Sequence, residues 1–128
     1  MLETGIRGCA EVIVSERNTA ASMGSGNIDV FATPYMIALM EEASQRSVAP
    51  FLEDGQSTVG TKLSVSHDAA TPVGMKVWAE SLLTQIDGRR LVFEVSAFDE
   101  CGPIGQGIHE RFIIKTQRFL EKVEAKKA

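Results

Sequence analysis

One segment constrains the fold of this chain more than any other: the run from Thr33-Pro34 to Ala49-Pro50. Tyr35, Met36, Ile37, Ala38, Leu39 and Met40 follow one another without a break, and Glu41-Glu42 comes next. Thr33 suits a helix N-cap, and Pro34 suits the first helical position, where the missing N–H costs nothing. Pro50 ends the helix, because the residue before a proline avoids the helical region. The first half is apolar on every side, so the helix is expected to be covered on every side.

The cover has to come from strands. Residues 5–15 read as a strand with Ala10, Val12 and Val14 on one parity. Beyond the helix, residues 61–67 alternate, as a half-buried strand does. Residues 75–85 place Met75, Val77, Ala79, Ser81 and Leu83 on one face, and Asp87-Gly88 marks a tight turn. Strands over 90–98 and 104–115 follow, turned at Cys101-Gly102-Pro103, with a short terminal helix over 117–126. The pattern predicts an α+β protein: one strand, a long buried helix, then a meander of four strands. The strand over 61–67 follows the helix rather than continuing a hairpin, so it is the expected sheet edge. An exposed edge invites pairing with another chain, and a two-fold dimer through it satisfies both copies.

Size and charge limit what such a protein does. The 128 residues fit one domain. A formal net charge of −4 argues against a nucleic-acid binder. Basic residues do gather at Arg89-Arg90 and from Lys115 to Lys127. Such a run is ordinarily a solvated face, and it also suits the phosphates of a nucleotide-bearing substrate. Cys9 and Cys101 form no C-x-x-C, which disfavours zinc and thioredoxin-like chemistry. The N-terminus lacks signal-peptide order, and no apolar run approaches a bilayer span, so a reducing cytoplasm with free thiols is expected.

Four groups carry possible chemistry. His67 shares the inward parity of Leu63 and Val65 and ends its strand before Asp68 and Thr71-Pro72. It reads either as a histidine satisfied by backbone or as a general base near working pH. Glu41 follows six apolar residues, and a buried carboxylate needs a partner or a task. Glu42 lies about 100° further round, so either one acid faces the core and the other the surface or a dimer partner, or both lie solvated at the helix flank. Thr33 has a capping role to hand, and about 12 Å of helix rise separates it from Glu41. His109 and Arg111 share a strand face; such a pair is most often a surface charge ladder, although Arg111 also suits a buried acid or a substrate oxygen. The glycines, Gly60 among them, permit close backbone approach but form no phosphate-loop spacing, and no G-x-S-x-G elbow occurs.

The chain resembles the fluoroacetyl-CoA thioesterase family, a branch of the hotdog-fold thioesterases. The matching stretches are Val30-Phe31-Ala32-Thr33, Leu39-Met40-Glu41, Val48-Ala49-Pro50-Phe51-Leu52-Glu53, Gly60-Thr61, Val65-Ser66-His67-Asp68-Ala69-Ala70-Thr71-Pro72, Gly88-Arg89-Arg90-Leu91, Val95-Ser96-Ala97 and His109-Glu110-Arg111. The resemblance implies a hotdog fold, an antiparallel sheet wrapped around one long helix, dimeric with active sites at the dimer interface. It implies Thr33, Glu41 and His67 as catalytic residues, and Gly60 and Arg111, with His67, as substrate contacts. It implies hydrolysis of a small acyl-CoA, with coenzyme A part of the substrate and no metal or other cofactor. The family's lid phenylalanines have no counterpart, since residues 22–30 contain no aromatic side chain, so selectivity for fluoroacetyl is not expected. A non-catalytic acyl-CoA sensor and a hotdog hydratase are the alternative readings. The acyl group, the pathway and any assembly beyond a dimer or dimer of dimers are not legible.

Overall fold

The computed structural model describes residues 1–127. Strand β1 (Arg7–Ile13) leads through a short helix α1 (Ala20–Met23) to the long helix α2 (Thr33–Val48). A 3-10 turn over Ala49–Phe51 follows, placing Pro50 just past the helix end. Strands β2 (Gln56–His67), β3 (Lys76–Asp87), β4 (Arg90–Asp99) and β5 (Gly102–Lys115) complete the sheet, and helix α3 (Thr116–Glu124) with a 3-10 turn over Ala125–Lys127 closes the described chain. No helix among the described residues is long and apolar enough to cross a membrane.

The sheet is antiparallel throughout, in the order β1-β3-β4-β5-β2. Only β3, β4 and β5 form a meander. The expected fourth member, β2, pairs with β5 instead of β3, because α2 carries the chain across the sheet before β2 begins. β2 is therefore an edge, as its position after the helix suggested, and β1 is the other.

The core is the interface between α2 and one face of this sheet. Met36, Leu39, Met40, Ala43 and Val48 pack with Ala10, Val77, Ala79, Leu83, Phe93, Val95 and Ala97. Cover does not extend all round the helix. Ala38 is exposed, and Ile37 and Glu41 are half-buried, because a single sheet reaches only one side. The apolar turn Tyr35–Met40 thus holds more apolar surface than one chain covers.

Two close approaches draw the sheet onto the helix. A side chain at Gly8 would run into the Ala43 carbonyl and sit 2.7 Å from Ser47 Cβ and Ser81 Oγ. A side chain at Gly105 would meet the Ser66 carbonyl and lie 2.9 Å from Met36 Sδ. We expect Gly8→Ala to lower stability by about 1–3 kcal/mol, the usual cost of overpacking, read from a urea unfolding midpoint. An unchanged midpoint would mean that β1 does not rest on α2 at this point.

Candidate active site

Thr33 is the first residue of α2, but it is not the cap. Ala32 holds that position with extended backbone and no side-chain capping bond. The expected N-cap role of Thr33 is therefore replaced by another. Its Oγ1 lies 2.7 Å from Nδ1 of His67, the last residue of β2.

Several backbone bonds lock this pair in place. The Phe31 N–H donates to the Thr71 carbonyl (2.9 Å) and the Ala32 N–H to the Asn18 carbonyl (2.9 Å), which fixes the entry to α2. The Asp68 N–H donates to the Ile104 carbonyl (2.6 Å), which fixes the exit from β2. Thr71, fully buried, donates its hydroxyl to Asp99 Oδ2 (2.7 Å) and so ties this loop to the end of β4. Nε2 of His67 is buried and has no hydrogen-bond partner among the described residues. Burial lowers the pKa of His67; the nearby backbone of Ala69 and the charge of Asp68 oppose that shift. A neutral ring with Nδ1 accepting from Thr33 is the form that withdraws a proton from a hydroxyl.

A second cluster forms around Glu41. The reading in which one of the two acids faces the core does not hold. Glu42 turns to Arg46 on the surface (3.0 Å), and Glu41 turns to Arg111 (Oε2–Nη1 3.6 Å), with its own side chain 43% exposed. The expected surface ladder of His109 and Arg111 is instead interior: their exposures are 1% and 6%. The ladder lies on the other face of β5, where Glu110 takes Arg90 in two bonds of 2.9 and 3.3 Å. From Gly105 to Ile113, residues of odd number on β5 face the core and those of even number face away.

The buried guanidinium is held on every side. Nε of Arg111 donates to Thr58 Oγ1 (2.9 Å) and Nη2 to the Thr58 carbonyl (2.9 Å). Nη1 lies 3.2 Å from Nε2 of His109, whose Nδ1 lies 2.9 Å from the Lys62 carbonyl. A carbonyl only accepts, so Nδ1 carries the proton and Nε2 is left to accept from Arg111. Burial lowers the His109 pKa further from protonation, which keeps this arrangement neutral. Gly60 completes the cluster: a Cβ there would stand 2.7 Å from Glu41 Oε2 and 3.2 Å from His109 Cε1. The register of β2 against β5 shifts just past it, between Gly60 and Lys62.

The five site residues expected from the sequence therefore fall into two groups, Thr33 with His67 and Glu41 with Gly60 and Arg111. About 12 Å of helix rise separates Thr33 from Glu41, and seven residues of β2, about 23 Å if straight, separate Gly60 from His67. His109 was singled out with Arg111 in the sequence but not assigned to the site. Its signal was parity with Arg111 on the strand opposite Gly60, which a single sequence cannot distinguish from a surface pair.

Comparison with known proteins agrees with this architecture. A family model described as fluoroacetyl-CoA-specific thioesterase matches residues 14–117. The chain is 46% identical to the fluoroacetyl-CoA thioesterase of Streptantibioticus cattleyicolor over 98 residues, which cover 77% of this chain and 70% of that one. A solved structure of a fluoroacetyl-CoA thioesterase is 37% identical, with a TM-score of 0.91 and 98% of each chain covered. A thioesterase-superfamily member from Thermus thermophilus is 27% identical, with a TM-score of 0.91 over 99% of this chain and 94% of that one.

Burial of two histidines has a consequence for stability. Both His67 and His109 have folded-state pKa values below the ordinary 6.5. The unfolded chain then takes up protons first, so their contribution is present above about pH 6.5 and is lost as pH falls below it. We expect the urea midpoint to drop between pH 7.5 and 5.5, a window above the ordinary carboxylate range, and to drop less in His109→Gln. A wild-type midpoint that stays constant over this window would contradict the neutral state of the half-buried His67 and the buried His109.

Proposed function

The chain belongs to the fluoroacetyl-CoA-specific thioesterase family and is an acyl-CoA thioester hydrolase, and from that premise we propose that Thr33, Glu41 and His67 carry the reaction. The observation that supports this most is the 2.7 Å contact between Thr33 Oγ1 and His67 Nδ1, on a ring whose Nε2 has no partner among the described residues. In this reading Glu41 attacks the thioester carbonyl, or takes a proton from a water that does. His67 moves the proton to the departing sulfur. Thr33 orients the carbonyl or relays through His67, and a backbone N–H near Gly60 holds the oxyanion. The C–S bond breaks, water supplies the hydroxyl of the free acid, and coenzyme A leaves as the thiol. Arg111 orients Glu41 through the 3.6 Å contact of Nη1 with Oε2. The reaction needs no cofactor, since coenzyme A enters as part of the substrate.

The separation of the two groups supports a dimer. A two-fold axis crossing β2 near Leu63 and Ser64 would pair the two free edges as antiparallel strands. It would set Gly60 and Glu41 of one protomer opposite the partner's His67. The same contact would cover Ile37 and Ala38. Each site is then shared between two chains. The free thiols of Cys9 and Cys101 suit a reducing compartment, and we place the reaction in the cytoplasm.

Glu41→Gln keeps shape and removes charge; we expect kcat to fall about 100-fold or more with the unfolding midpoint retained. Thr33→Ser keeps the hydroxyl and should remain active, whereas Thr33→Ala should lose activity without the stability cost of a lost cap. Mixing Glu41→Gln with His67→Gln after subunit exchange should restore about a quarter of wild-type activity, because half the dimers then contain one intact shared site. No recovery in dimers shown to have exchanged would place the whole site within one chain.

Residues 22–30 contain no aromatic side chain to close over a small acyl group. We therefore expect kcat/KM for fluoroacetyl-CoA and acetyl-CoA to agree within about tenfold, less than the discrimination a hydrogen-bond-matched pocket achieves. A larger preference would mean that another part of the site performs the selection.

A further inference from the structure

We propose that the cavity between the β3–β4 turn and α3 binds the phosphates at the nucleotide end of coenzyme A, an inference that rests on the acyl-CoA substrate assigned above. The cavity measures about 190 Å³ and is lined by Arg89, Ile114, Lys115, Arg118, Phe119 and Lys122. Four of these six residues are cations, in a chain whose formal net charge is −4. Arg118 and Lys122 stand one turn apart on α3, with Lys115 just before it. Like charges so spaced repel, so the helix gains nothing from them by itself. The acids of α3 do not line this cavity: Glu121 and Glu124 line a groove with Gly55 and Leu120, and Glu121 lines a neighbouring cavity with Glu53, Asp54, Lys115 and Arg118.

Among the described residues none of Arg89, Lys115, Arg118 and Lys122 has a carboxylate partner within 4 Å; Arg7, Arg17, Lys62 and Lys126 lack one too, and what sets the four apart is that they line one cavity. Phe119, half-buried on the wall, offers a ring face on which a base stacks. Phosphate oxygens beside an aromatic wall are the chemistry of a nucleotide rather than of a bare anion.

The placement relative to Glu41 fits a single long substrate. Arg111 and Lys115 share strand parity on β5 and lie four residues apart, about 13 Å. Arg89 is held alongside by the Ile113 N–H, which donates to its carbonyl (2.8 Å). The cavity thus begins about 13 Å along β5 from Arg111, at the end of the sheet, and a substrate long enough to carry a pantetheine arm is what would join the two.

The test compares acetyl-CoA with acetyl-pantetheine, which lacks the nucleotide, using wild type and the triple variant Arg89→Gln, Arg118→Gln, Lys122→Gln. The exposed positions make loss of fold unexpected, and the unfolding midpoint verifies this. KM for acetyl-CoA should rise about tenfold with kcat unchanged, the combined effect of three exposed ion pairs. KM for acetyl-pantetheine should not change, and added salt should weaken acetyl-CoA binding in wild type far more than in the variant. An unchanged KM for acetyl-CoA, or an equal rise for both thioesters, overturns the proposal. Calorimetric titration with coenzyme A separates the site from the activity. If wild type hydrolyses neither thioester but the variant binds coenzyme A about tenfold more weakly, the site stands and the hydrolase assignment fails. If hydrolysis proceeds and coenzyme A binding is unaltered by the variant, the assignment stands and the site fails.

Discussion

The seating of α2 against one face of the sheet is the contact on which the rest of the molecule depends. Met36, Leu39, Met40 and Val48 are buried there, each worth about 1.5–3 kcal/mol in apolar transfer at the upper estimate. That contact fixes the helix along its length and about its axis. Thr33 then falls at the end of β2, and Glu41 falls two turns on, against Gly60 and Arg111. Small residues make the approach close enough: Gly8 under the Ala43 carbonyl, and Gly105 against Met36.

A buried arginine makes the second demand. A guanidinium at 6% exposure is costly without partners, and three groups supply them. Thr58 takes two of its donors, His109 a third, and Glu41 gives the opposing charge. His109 serves only while neutral, since a protonated ring has no lone pair to offer. Burial and the proton donated to the Lys62 carbonyl both hold it in that form. The orientation of Glu41 thus traces back through Arg111 and His109 to one carbonyl at the bulge of β2.

Much of the fold was legible because it is local. The proline-bracketed helix, the inward parity of Val77, Ala79, Ser81 and Leu83, and the turn at Gly88 each follow from a few adjacent residues. Non-local pairing was less legible. Nothing in 56–67 states that β2 joins β5 rather than β3, because alternation reports which face a residue takes and not which strand lies beside it. The terminal basic run showed its charges but not that they close a cavity with Arg89, which comes from a turn more than twenty residues earlier.

The candidate site divides along the same line. Sequence by itself determined the chemical inventory: a threonine at a helix start, an acid among apolar residues, a histidine at a strand end, and an arginine on an alternating strand. It also determined which of them share a face, through periods of 3.6 and 2, but not whether that face is interior. Tertiary structure alone decided their partners. It turned the Thr33 hydroxyl to His67 instead of the helix N–H groups, swung Glu41 to Arg111 instead of the core, and buried His109 behind it. The physical reason is distance along the chain. A cap or a turn is closed by residues three or four apart, whereas the bonds that define this site join residues 34, 47, 53 and 70 positions apart, and only the packed sheet and helix bring those together.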